Sequence, residues 1–317
     1  MAACRLKPAP VMCSPTARQA QLPRRVVLGL DAEGVADAAV HVGLELSNAL
    51  DASLVIVHAL APRSRFACAS GLVGAEEPVA RLSRAARAAR ARLQGIAWSA
   101  GLSHLAPDER LRVVCGRPAQ VLLAQSRSAS DLVMLGAQRL TGALRFGSTV
   151  RTLLTKATGP VWVHRDAAVR IRRMLVPIDM TLGSMFALGL AIAIASKLGA
   201  RVDVLHSFPM PYSLTLGSFV FSMQDLRHRS RCAFEESLSG LDWSGVPHTQ
   251  TFVDGEPLQS IVDRSEACDL IVMGRRERPG LAATIFGNTA LRVLERSDKP
   301  LLVTHSCNDE NARTMES

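Results

Sequence analysis

Two kinds of hydrophobic pattern alternate along this chain. One is a short unbroken apolar run, as in VVLGL after Arg25, SLVIV before His58, DLVML from Asp131 and PVWV before His164. Runs of this length, bounded by turn residues and rich in Val, Ile and Leu, read as strands buried on both faces. The other pattern spaces apolar residues three and four apart and predicts helices over Ala36–Leu50, about 76–99, Leu182–Leu198 and about 222–240.

The alternation occurs twice. The first copy opens with RRVVLGLDAEG and the second with RRMLVPIDMTLGS, each an apolar run that ends in an acid, Asp31 or Asp179. A helical pattern follows, then a strand ending in histidine, His58 or His206; both pairs stand 148 residues apart. Next come a long helix, a strand, and the turns Cys115-Gly116-Arg117-Pro118 and Asp254-Gly255-Glu256-Pro257. Proline just past a turn suits a first helical position, where its missing N–H would be unpaired anyway. The fourth strands, DLVMLG and DLIVMG, lead into glycine-rich loops, and the last strands are PVWVH and PLLVTH. Equal spacing over such a length predicts a duplicated β-α-β-α-β-α-β-α-β unit with a mostly parallel sheet in each half.

In such sheets ligands sit outside the carboxyl ends of strands where the strand order reverses. That directs attention to Asp31 with the loop from Gly136, and to Asp179 with the loop from Gly274. The first loop, LGAQRLTGALRFGSTV, ends in Gly147, Ser148 and Thr149 ahead of a helix. Glycines let successive N–H groups approach one anion, and a helix N-terminus favours phosphate; Ser148 is placed to cap that helix. Taken alone, such a loop reads equally well as a tight turn without a ligand. The segment lacks the lysine of a P-loop.

Composition narrows the picture. Hydrophobic residues make up 48% of the 317 and aromatic ones only 4%, so aliphatic side chains build the core. No apolar run is long enough to span a membrane. The formal charge of +9 gathers in the first 25 residues and in Arg81, Arg84, Arg87, Arg90 and Arg92. Leu82, Ala86, Ala89 and Leu93 keep the opposite stripe of that helix, which therefore reads as amphipathic with a solvated basic face. Base-stacking aromatics do not interleave the arginines, so nucleic acid is an unlikely partner. The seven cysteines form no metal-ligand spacing, which predicts reduced thiols and no metal site. No nucleophile stands beside a base, so no dedicated catalytic site is expected.

The ordered set VVLGLD and MLVPID, IVHA and VLHS, GRP and GEP, DLVMLG and DLIVMG, PVWVH and PLLVTH resembles the universal stress protein family in its tandem form. The resemblance implies an α/β fold: two tandem five-stranded parallel-sheet sandwiches, Rossmann-like and akin to the adenine nucleotide alpha hydrolases, packed as an internal pseudo-dimer. Residues 24–165 and 172–305 form the two domains, between a disordered basic tail at 1–23 and a C-terminal tail at 306–317. It further implies that Val161–His164 and Leu301–His305 meet across the boundary, with association into a homodimer open. The family motif for ATP phosphates and ribose falls on Gly136, Gly142, Gly147, Ser148 and Thr149, and on Gly274, Gly280, Gly287, Asn288 and Thr289. Asp31 and Asp179 then lie at the nucleoside end. ATP, with Mg as its only metal, is the implied cofactor of a cytoplasmic, non-enzymatic stress-response regulator, with no more than slow hydrolysis of the nucleotide.

Both loops depart from the motif. Arg139 and Glu277 replace its second glycine, and Gly136 to Gly147 is a step of 11 where Gly274 to Gly287 is 13. Arg139 can serve a phosphate through fork-shaped contacts. Glu277 at roughly 6 Å from phosphate would cost about 3 kcal/mol, on the order of a hundredfold in affinity. Arg275, Arg276 and Arg278 flank Glu277 and can offset it. The first half is therefore expected to bind nucleotide in preference to the second. An alternative comes from FPMPYSLTLGSFVFSM, residues 208–223, which reads either as a lid over one sheet face or, through its Met and aromatic side chains, as a site for an apolar, lipid-like ligand independent of nucleotide.

Overall fold

The computed structural model describes residues 21–30, 37–60, 84, 86–92, 94–95, 110–126, 128–136, 147–165, 170–209, 223–275 and 288–304. The first half contains β1 (Arg25–Gly29), α1 (Asp37–Leu50), β2 (Ser53–Leu60), β3 (Leu111–Cys115), α2 (Pro118–Gln125), β4 (Asp131–Gly136), α3 (Ser148–Lys156) and β5 (Val161–His164). The second contains β6 (Arg173–Pro177), α4 (Leu182–Leu198), β7 (Arg201–Phe208), α5 (Met223–Ser239), β8 (His248–Asp254), α6 (Pro257–Ser265), β9 (Leu270–Gly274), α7 (Asn288–Arg296) and β10 (Leu301–Thr304).

The strands lie in the order β3-β2-β1-β4-β5-β10-β9-β6-β7-β8. Each half is thus a parallel sheet whose order reverses between its first and fourth strands, β1 and β4 or β6 and β9. The two sheets do not merely pack against each other. β5 pairs antiparallel with β10, matching Leu301 to Val163, Leu302 to Trp162 and Val303 to Val161, and joins them into one ten-stranded sheet. The expected meeting of last strands is what the chain forms; His305 lies outside the described residues.

Burial explains the strand composition. Val26, Val27, Leu28, Leu132, Val133, Met134, Trp162, Val163, Leu270, Ile271 and Val272 are fully enclosed, as unbroken apolar runs require when helices cover both faces. One hydrophobic cluster runs from Leu28 and Val40 through Trp162 to Ile194 and Val272; the other, on the opposite face, runs from Val27 through Leu153 to Val293 and Val303. Each crosses the junction between the halves.

Turn chemistry fixes the ends of the elements. Gly116 and Gly255 hold φ of 152° and 141°, conformations that disfavour any side chain, and Pro118 and Pro257 begin α2 and α6 behind them. The side chain of Glu256 accepts from Gln259 N and caps α6. Of the basic helical segment, Arg84, Arg87 and Arg92 are exposed while Ala89 is buried, in line with a solvated face; Arg81, Leu82 and Leu93 lie outside the described residues. The tail at 1–20 and the segment 210–222 lie outside them too. No helix among the described residues is long and apolar enough to cross a membrane.

Candidate functional site

Two corners occupy the carboxyl ends of the strands where the order reverses. In the first half the corner lies between the exits of β1 and β4. His58, two residues before the end of β2, holds its floor: Nδ1–H donates to the Leu30 carbonyl at 2.9 Å, one residue before Asp31. His206 does the same in the second half, donating to the Ile178 carbonyl at 2.8 Å, one residue before Asp179. The two histidines are therefore positioning residues that hold the backbone where each first strand ends.

The first corner is open where it is described. Gly136 is exposed at the end of β4, and among the described residues a Cβ placed there would find only the Ala39 Cβ, at 3.8 Å. Gly147 is exposed as well, and nothing described lies within 4 Å of a Cβ built on it. Its backbone, φ −63° and ψ 157°, is the N-cap of α3 with no side-chain cap bond. This corrects the expectation that Ser148 caps the helix: Ser148 is the first helical residue, one place too late for its hydroxyl to turn back onto the first-turn N–H groups. Ser148 is exposed and Thr149 half-buried, while Val150, Leu153 and Leu154 anchor the helix below. Among the described residues no side chain caps α3, and its first residues stand at the surface, an arrangement that suits an anion. Asp31, Arg139 and Gly142 lie outside the described residues.

The second corner is filled by its own chain. Asp179 Oδ1 accepts from the Thr181 amide at 3.2 Å and the Thr181 hydroxyl at 2.5 Å. The Asp179 amide donates to Ser184 Oγ at 3.2 Å, and the Ser184 amide donates to Thr181 Oγ1 at 3.4 Å. Thr181 is the N-cap of α4, so this turn fastens the helix start to the β6 exit. Gly183 then lies on the carbonyl of Arg275, and Gly274 on the carbonyl of Gly183, both so closely that no Cβ fits at either position. Backbone meets backbone here, whereas among the described residues only the Ala39 Cβ comes near Gly136.

Arg275 departs from expectation in a second way. Its guanidinium is not turned to the corner but to the other half, where Nη1 donates to the Thr155 carbonyl of α3 at 3.0 Å. Gly280 and Gly287 lie outside the described residues; Asn288 begins α7 and Thr289 is exposed in its first turn. The residues missed by sequence reasoning are thus Thr181, Gly183 and Ser184. A signal was present: glycine inside a helix is costly relative to alanine unless another backbone needs the room.

Among the described residues no group of three or more His, Cys, Asp or Glu is placed to hold a metal. Cys115 and Cys232 are exposed free thiols, while burial pushes the Cys268 thiol up to about 11.

A family model described as the Universal stress protein family matches residues 23–165 and again 170–305. The chain is 27% identical over 209 residues to the Universal stress protein Rv2005c of Mycobacterium tuberculosis, covering 62% of this chain and 70% of the relative. A universal stress protein of Mycolicibacterium smegmatis is 24% identical over 290 residues, 88% of this chain and 96% of that one. Among solved structures, a universal stress protein from Archaeoglobus fulgidus shares the fold with a TM-score of 0.63 at 17% identity, over 89% of this chain and 98% of its own.

Proposed function

The chain belongs to the universal stress protein family, and from that premise we propose that it is a one-site adenine-nucleotide-binding regulator. The first half holds ATP with Mg, and the second half has turned its corner to structural use. The contrast between the corners carries this reading. Gly136 and Gly147 border open space among the described residues, whereas Gly274 is pressed on Gly183 and the Asp179 carboxylate is bonded to Thr181.

In this reading the amides of Gly147, Ser148 and Thr149 receive the phosphates at the positive end of α3. Arg139 adds a cation where a glycine is missing, and Asp31 takes the nucleoside end. Among the described residues of the corner no nucleophile is paired with a base; in this reading the nucleotide acts as a ligand and not a substrate. It regulates by binding one conformation of the protein better than another. The cytoplasm is the compartment that such a ligand and reduced thiols suit.

Calorimetry with Mg-ATP on the whole chain tests the reading. One nucleotide per chain is expected, and Ser148→Glu should weaken it by on the order of a hundredfold, because a carboxylate at roughly 6 Å repels the phosphates. An acid in the first turn favours the helix itself, so the variant should fold. Two sites per chain, or an affinity indifferent to S148E, would defeat the reading. Release of lipid without adenine from denatured protein would instead favour the apolar-ligand alternative based on 208–223.

A further inference from the structure

α3 and α7, the helices that follow the two glycine loops, each end under an arginine from the opposite half. The last carbonyls of a helix lack intrahelical partners and sit at its negative pole, so a guanidinium there is favourable. At the end of α7, Arg165 Nη2 donates to the carbonyls of Leu294 and Ser297, the latter at 2.7 Å. At the end of α3, Arg275 Nη1 donates to the Thr155 carbonyl at 3.0 Å. Between them Arg151 of α3 meets Glu295 of α7 at 3.6 Å. Arg165 is buried, 7% exposed, so its bonds are shielded from water.

The topology makes the first of these contacts natural. Because β5 and β10 are antiparallel, the end of β5 lies beside the start of β10, into which α7 leads. By repeat position the counterpart of Arg165 is His305, which lies outside the described residues. The contact on α3 is made by Arg275, which follows β9 and whose amide is held by the Thr304 carbonyl at 2.9 Å. The first-half counterpart of Arg275 is Ala137. The two arginines therefore occupy unrelated positions of the repeat and perform the same task, which duplication alone does not produce.

We infer that Arg165 and Arg275 form a reciprocal clamp that ties each corner helix to the opposite half and makes the two halves open as one cooperative unit. The strand junction supplies three matched residue pairs between β5 and β10, beside the two hydrophobic clusters that cross it. The clamp adds charge-assisted bonds on the helices beside it and needs no ligand. One consequence rests on the nucleotide reading: binding at the start of α3 would then also steady α7.

The test uses the whole chain. Amide hydrogen exchange, read by peptide mass along a urea series, gives separate midpoints for α3 and α7. In the unaltered protein one shared midpoint is expected. In the double variant Arg165→Met, Arg275→Met the two should part, with opening constants on the order of tenfold apart. If the double variant does not fold, Arg165→Lys with Arg275→Lys, which keeps charge but loses the fork, should show the same parting to a lesser degree. Two midpoints in the unaltered protein, or one shared midpoint in a folded variant, would overturn the clamp. Mg-ATP should move both midpoints in the unaltered protein and only that of α3 in the double variant. A nucleotide that moves neither while calorimetry shows no binding defeats the nucleotide reading and leaves the ligand-free midpoints to decide the clamp.

Discussion

Two glycines that look interchangeable in sequence do different physical work. Gly274 and Gly136 both end the fourth strand of their half, in DLIVMG and DLVMLG. Gly274 lies against the Gly183 carbonyl, a backbone group that cannot rotate aside, while among the described residues Gly136 faces only the Ala39 methyl, at 3.8 Å, an ordinary contact. Gly274→Ala should therefore destabilise the chain by about 3 kcal/mol or more, as forced overpacking does. Gly136→Ala should be neutral or gain a few tenths of a kcal/mol through the unfolded state. Urea denaturation of the two variants decides the matter, and equal midpoints would refute the closed second corner. Motif matching alone does not reveal the closed corner, because it depends on where the neighbouring helix begins: α4 starts at Leu182, which sets Gly183 against the exit of β9.

At the scale of elements, most of the pattern was readable. Buried parallel strands must be apolar throughout, so the runs at Val26, Leu54, Leu132, Leu270 and Leu301 announced themselves. The turns at Gly116 and Gly255 carried glycine where φ is positive and proline where a helix begins. Helix ends were less legible: the cap of α3 passed from Ser148 to Gly147, since a one-residue shift leaves the periodicity of apolar positions intact. β7 holds a feature that periodicity hides, an acid inside a strand. Burial acts to raise the Asp203 carboxyl, but the Thr249 hydroxyl and Arg173, with Arg201 behind, outweigh it and hold the group below the usual carboxylate range. A depressed folded value stabilises above the unfolded pKa of about 3.9 and fades as the pH falls through the folded one. Asp203→Asn should thus lose on the order of 1–2 kcal/mol at neutral pH, the solvent contact of Arg173 keeping the figure modest. The loss should shrink below about pH 4. Thermal unfolding at pH 7 and pH 3 measures both; an equal loss at the two would count against the ion cluster.

For the molecule as a whole, the halves are continuous in sheet and core. Val161, Trp162 and Val163 are fully buried in the complete chain, and β5 owes one of its two edges to β10. A fragment ending at Arg165 would present that apolar edge to water, and such edges recruit another strand. Light scattering should find the fragment paired or aggregated and the complete chain free of that association; a monodisperse single-copy fragment would speak against it. The antiparallel seam has a geometric sequel. All five strands of one half run against all five of the other, so the two corners look out from opposite rims of the slab. A partner docked over the first corner would therefore have only the amino ends of the second half's strands at its side, with the closed corner on the far edge.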